Sequence, residues 1–185
     1  MDDTYNYIFA NAWRLTGRAE GDYVNDPSDS GGPTNHGITE KVARANGYTG
    51  DMRDLTPPEA EQIAKRKYWD VMSLDDVANI SEAIAKEMFD TGFNAGPERA
   101  VRFLQRSLNA LNRLQKDYPD IIVDGKFGDV TLNALFLYHN KRKGTGIRIL
   151  LRCLNGLQLA FYIKLVERRE KDERFLNGWV LNRVD

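Results

Sequence analysis

The sequence predicts a mainly helical protein carrying one small β-hairpin. Three observations carry that fold class. Apolar residues recur at three- and four-residue spacing through most of the 185 residues, as one-sided helices require. The one stretch dense in turn formers, "RAEGDYVNDPSDSGGPTNHGIT" over residues 18–39, comes early and gives way at once to a helix start. No repeat with a period of roughly 20–50 residues, no low-complexity segment and no long linker interrupts the remainder.

The elements run in order along the chain. Tyr5, Ile8, Phe9, Ala12 and Trp13 line one face of a first helix whose pattern fades near Gly17. The turn-rich stretch comes next, with a short hairpin expected inside residues 21–38. Thr39 is placed to cap a short helix that stops around Gly47. Thr56, Pro57, Pro58 and Glu59 form a capping box with proline at the first helical position, and Ala60, Ile63, Ala64 and Tyr68 make that helix's inner face. "ISEAIAKEMFDTGFNAG" is apolar on more than one side, which predicts a central buried helix ended by a glycine. The next helix restarts at Pro97 with a stripe of Val101, Leu104, Leu108 and Leu111. "VDGKFGDVTLNALFLYHNKRK" reads as a turn followed by a helix. "IRILLRCLNGLQLAFYIKLVERREK" carries the longest helical pattern, through Leu150, Leu154, Leu157, Phe161 and Leu165, and "FLNGWVLNRV" closes the chain.

Composition bounds the function. An apolar content of 42% supports a sizeable core in one compact domain or two small ones, and 29% charged residues give a hydrophilic surface. No uninterrupted run of about 18 apolar residues is present, so no spanning segment or stable membrane insertion is expected. The acidic start lacks a basic n-region and apolar block, so no signal peptide is expected. Cys153 is the sole cysteine, which excludes an internal disulfide; beside Leu150, Leu151 and Leu154 it is expected to be buried. With His36 and His139 the only histidines, neither a metal nor another cofactor is expected. Trp13, Trp69 and Trp179 are expected mainly in the core. Charge is uneven: residues 1–95 hold 17 acidic and 9 basic side chains, residues 96–185 hold 10 and 17. A basic second half fits an anionic partner such as nucleic acid, phospholipid or cell wall; chance segregation of surface charge fits equally well.

The chemistry is expected in the turn-rich loop. Glu20 falls where the first helix runs out, and partial burial there raises a carboxyl pKa toward the range of a general acid. Asp29 lies nine residues on, past a turn that can fold it back, and two carboxylates in unlike environments are what glycosidic cleavage uses. Thr34 is placed to hold a water or a sugar hydroxyl, and Gly31 and Gly32 permit close approach of a polymer. Asp22 and Asp26 compete with Asp29 for the acidic role, and ordinary turn chemistry accounts for the same residues without catalysis.

The stretch "EGDYVNDPSDSGGPTNHGIT" closely resembles the signature of glycoside hydrolase family 108, phage-type endolysins and related muralytic proteins. The likeness falls on Glu20, Gly21, Tyr23, Asp29, Gly31, Gly32, Thr34, Gly37, Ile38 and Thr39, with Asp22 where the family has a second glycine. "FNAGP", with Phe93 in place of a smaller residue, keeps Asn94 and Gly96. The resemblance implies a lysozyme-like helical fold with a small β-hairpin lobe at the cleft. It implies a catalytic region over 1–95 and a helical peptidoglycan-binding region over 96–185. It further implies an N-acetylmuramidase in which Glu20, Asp29 and Thr34 are catalytic, while Tyr23, Gly32, His36, Thr39 and Asn94 bind substrate. Alternatives are a lytic transglycosylase using the same acid and a non-catalytic wall-binding or secretion-helper protein. The expected partner is peptidoglycan, not nucleic acid, met by a monomer made in the host cytoplasm and carried to the periplasm with the help of a holin.

Overall fold

The computed structural model describes residues 3–17, 23–25 and 32–184. Its contacts divide the chain into two units, 1–71 and 72–185. In the first unit, helix α1 (Asp3–Gly17) buries Ile8, Phe9 and Ala12, with Trp13 half-buried; the Tyr5 side chain lies outside the described residues. Strands β1 (Thr34–Asn35) and β2 (Ile38–Thr39) pair antiparallel, Thr34 opposite Thr39 and Asn35 opposite Ile38. They are joined by His36 and Gly37, both at positive φ (48° and 74°). A two-residue turn with both φ positive matches the right-handed twist of the flanking strands, and glycine adopts it without steric cost. Helix α2 (Glu40–Ala45) begins directly after β2, capped by Thr39, whose hydroxyl accepts from the Val42 amide at 3.4 Å.

Helix α3 (Pro57–Ala64) opens as its sequence requires: Glu59 accepts from the Thr56 amide at 2.9 Å and from the Thr56 hydroxyl at 2.6 Å, and prolines fill the first positions. Ala60, Ile63, Ala64 and Tyr68 are all buried, as their spacing predicts. The helix widens into a π-turn over Lys65–Trp69, which takes one extra residue per turn and re-aims the chain beyond it. Trp69 is thereby fully buried, edge-on to Phe9 with centroids 5.4 Å apart.

The second unit is helical throughout its described elements. Helix α4 (Leu74–Ile80) leads to α5 (Glu82–Ala95), which packs against α4, α6 (Pro97–Leu111) and α7 (Asp129–Arg168) and buries Ile84, Ala85, Met88 and Phe89. The expectation of a central helix is met. Gly96, at φ 94°, stops α5, and Pro97 starts α6 where its missing amide costs nothing. On α6, Val101, Leu104 and Leu108 are buried, each contributing about 1.5–3 kcal/mol of burial, while Leu111 is only half-buried.

After α6, Arg113, Leu114 and Gln115 all take left-handed conformations that the sequence pattern does not announce. Local bonds offset that strain: the Asn112 side chain accepts from the Gln115 amide at 3.0 Å, and Arg113 pairs with Asp117. The "VDGKFGD" turn is held by a buried glutamine. Gln105 donates to Asp124 (2.9 Å), to the Lys126 carbonyl (3.1 Å) and to Thr131 (3.2 Å), and accepts from the Gly125 amide (2.9 Å).

Helix α7 is broken at Lys143 (φ 51°, ψ −144°), between the two helical segments the sequence predicts. Beyond the break it corrects two expectations. Its buried ridge is Leu150, Leu154, Gln158, Tyr162 and Val166, whereas Leu157, Phe161 and Leu165 sit half-buried at its margin. Gln158 explains the shift. Its fully buried amide donates to Asp90 (2.9 Å) and Thr91 (3.2 Å) of α5, so a polar side chain occupies a core position that an apolar stripe passes over. Cys153, expected to be buried, is half-buried beside that ridge. An 18-residue window of α7 also reaches a mean hydropathy of 1.4, long and apolar enough to cross a membrane by length and composition. Averaging exposes what a search for uninterrupted apolar residues misses. The window is one-third buried within the protein, and one helix of this kind is weak evidence for a span.

Helix α8 (Glu173–Arg183) closes the unit, with Trp179 set between Tyr162 (5.3 Å) and Phe175 (5.9 Å).

Candidate active site

The hairpin collects most of the residues singled out from the sequence. Thr34 is its central residue: the Thr34 amide and carbonyl both pair with Val24, at 2.8 Å each way, so residues 23–25 add a third short rung. The Thr34 hydroxyl is half-buried and donates to the Gly32 carbonyl at 3.2 Å, an arrangement that leaves its oxygen able to accept from a water. Tyr23, next to the rung, is half-buried with the Arg53 guanidinium 5.4 Å from its ring centroid. Gly32 takes φ 70°, and nothing lies within 4 Å of where a side chain would begin, so the backbone is open to an approaching ligand. His36 occupies the turn itself. Thr39 has its hydroxyl committed to capping α2.

The contact that holds this lobe was not anticipated. Asn35 is buried at 4% exposure and donates to the Met52 carbonyl at 2.8 Å, tying the hairpin to the short 3-10 turn Met52–Asp54. An isolated Asn beside a turn carries no pattern that marks it as buried; only the alternation of Asn35 with Ile38 on the inward side of the hairpin does.

Glu20 and Asp29, the two expected carboxylates, lie outside the described residues, as do Asp22, Asp26 and Gly31. Asn94 belongs to the second unit, in the last turn of α5. Its amide donates to the Asp90 carbonyl (2.9 Å) and carboxylate (3.2 Å). Asp90 in turn accepts from Gln158 and from Arg183 of α8 at 3.2 Å, an ion pair whose side chains are only 18% and 8% exposed. Asn94 is thus fixed by a network joining α5, α7 and α8, and none of Asp90, Gln158 or Arg183 was marked by the sequence pattern. Among the described residues no three His, Cys, Asp or Glu side chains gather as metal ligands would.

The family profile for glycosyl hydrolase 108 matches residues 14–96, taking in the whole hairpin and Asn94. Residues 14–96 are therefore a region of glycosyl hydrolase 108 type. Residues 99–184 match a second profile, a predicted peptidoglycan domain. The glycosyl hydrolase 108 profile therefore includes α4 and α5, two helices that by packing belong to the second unit. Among solved structures, the chain is similar to SagA of Brucella abortus, with 25% identity over 94% of this chain and 88% of that one and a TM-score of 0.69. No curated protein matches the sequence significantly. The fold is accordingly mainly helical and lysozyme-like with a small hairpin, and the chain is a peptidoglycan-degrading glycoside hydrolase.

Proposed function

We propose that this chain is an N-acetylmuramidase of the glycosyl hydrolase 108 family, hydrolysing the β-1,4 bond between N-acetylmuramic acid and N-acetylglucosamine. The observation that carries the proposal is the Glu20–Thr39 signature within the family match, together with the Thr34 hydroxyl, which keeps an accepting oxygen. Glu20 gives its proton to the glycosidic oxygen as the anomeric C–O bond breaks. Asp29 stabilises the positive charge that develops or takes the proton of the attacking water, and Thr34 orients that water. Tyr23, Gly32 and His36 line the approach of the glycan, with Thr39 and Asn94 supporting it. A separation of about 5 Å between the two carboxyl groups gives retention, and about 6.5–9.5 Å gives inversion.

On this reading residues 1–95 are the catalytic region and residues 96–185 hold the wall. The resemblance of the signature to phage-type sequences supports an endolysin, monomeric, made in the host cytoplasm and acting in the periplasm after a holin opens the way. The test is clearing of outer-membrane-permeabilised Gram-negative cells by wild type and by Glu20→Gln, with circular dichroism of both. Clearing by wild type and none by a folded Glu20→Gln supports the proposal. Equal clearing removes Glu20 from the role of acid, and no clearing by either favours a non-catalytic wall-binding protein. Mass spectrometry of the products separates the hydrolase from a lytic transglycosylase, which uses no water and leaves an anhydro sugar.

A further inference from the structure

The margin of α7 that the core leaves uncovered faces α6 across a groove of about 410 Å³, within the ordinary range of ligand sites. Arg99, Phe103 and Arg106 fall at i, i+4 and i+7 on α6, and Phe161, Lys164 and Arg168 at i, i+3 and i+7 on α7. Each helix therefore turns two cations and an aromatic ring into the same space. No Asp or Glu lines the groove, and among the described residues none of these four cations forms an ion pair. Other cations of the same unit do: Arg102 pairs with Glu98 at 2.9 Å, Arg113 with Asp117, and Arg183 with Asp90. Arg99 is also held in place. Its guanidinium lies 4.2 Å from the Phe161 ring centroid and donates to the Ala95 carbonyl. A stacked guanidinium keeps its remaining edge N–H groups in a fork that fits a carboxylate.

We propose that this groove binds the stem peptides of peptidoglycan through their carboxylates, so that the enzyme grips its polymer by the peptide as well as cutting it at the sugar. The proposal rests on the chain being a peptidoglycan-degrading enzyme. The N-acetylated glycan is uncharged and gives four cations nothing to neutralise, whereas the peptides carry free carboxylates alongside alanine methyl groups that suit Phe103 and Phe161. All six residues fall within the matched peptidoglycan domain, residues 99–184.

The test is co-sedimentation of the full-length protein with purified Gram-negative sacculi at 4 °C. Wild type is compared with Arg106→Glu/Lys164→Glu and with Arg148→Glu/Arg152→Glu, which changes charge equally at exposed α7 positions outside the groove. The groove variant loses at least about tenfold in affinity and the control less than about twofold, since the groove cations converge on one ligand while Arg148 and Arg152 lie outside the groove. Wild type binds sacculi whose peptide carboxylates have been capped as neutral amides with carbodiimide and methylamine only as weakly as the groove variant binds intact ones. Equal losses in both variants, or undiminished binding to amide-capped sacculi, overturn the proposal. So does displacement of wild type from sacculi by a single-stranded DNA oligonucleotide at matched charge, which would make the groove a nucleic-acid site. Should the Glu variant melt early, Arg106→Gln/Lys164→Gln carries the same comparison. Release of soluble sugars at 37 °C, read in parallel, separates the two claims. Release with equal binding by all variants overturns the groove alone, and no release with groove-specific loss of binding overturns the glycosidase alone.

Discussion

Replacing Asn35 by alanine tests how the hairpin lobe is held. The substitution removes a 2.8 Å bond at a site 4% exposed and strands the Met52 carbonyl away from water. A buried acceptor left without a donor costs about 1–3 kcal/mol, and the small void adds a few tenths, for a total of about 2.5 kcal/mol. That is roughly a 70-fold shift of the folding equilibrium. Asn35→Asp costs more at neutral pH, because a carboxylate cannot donate and faces a carbonyl. Burial raises the pKa of that carboxyl above its unfolded value, so the folded state binds protons more tightly and the deficit shrinks as pH falls. The assay is urea unfolding followed by tryptophan fluorescence in a Trp179→Phe background, where the signal comes from Trp13 and Trp69 of the first unit. A loss under about 1 kcal/mol for Asn35→Ala, or an Asp variant more stable than the Ala variant at pH 7, refutes the reasoning.

Three further outcomes are expected. Gln105→Leu, which removes four hydrogen bonds from a residue 2% exposed, destabilises the second unit by about 3 kcal/mol and speeds amide exchange at Gly125; unchanged exchange would contradict it. Arg183→Met costs about 2 kcal/mol by urea unfolding, less than a lone buried pair, because Asp90 keeps Gln158 and Asn94, and the wild-type pair survives 1 M salt. Glu59, Asp117 and Asp124 are all held below the ordinary carboxylate range, by hydrogen bonds from Thr56, from Arg113, and from the Lys126 amide with Gln105, respectively. Their folded values lie below their unfolded ones, so their stabilisation is complete above about pH 4.5 and disappears as pH falls through the depressed values. Melting temperatures that stay flat or rise from pH 4.5 to 3 would rule this out.

The sequence made the elements legible where local chemistry decides them. Thr56 to Glu59 fixed the start of α3, and Gly96 and Pro97 the break between α5 and α6. It misplaced the features that long-range polar contacts decide. Gln158 and Asn35 are buried because distant carbonyl and carboxylate groups receive their amides, and no periodicity registers a partner 68 or 17 positions away. The left-handed run at Arg113–Gln115 escaped because none of its positions carries glycine, the residue that ordinarily marks such backbone. Within the candidate site, Tyr23, Gly32, Thr34, His36 and Thr39 fell together on the hairpin because turn chemistry fixes that segment locally. Thr39 proved to serve as the α2 cap, a second job its position before a helix already implied.

The way Thr34 is wired into the lobe separates scaffold from chemistry. Both of its main-chain groups are engaged by Val24, so the lobe is sewn together at this position by atoms every amino acid except proline possesses. Its side chain reaches no farther than the Gly32 carbonyl two residues away. Position 34 can therefore exchange its side chain without unpicking the seam, and natural variation or directed evolution can sample new reactivity there while the architecture underneath stays constant.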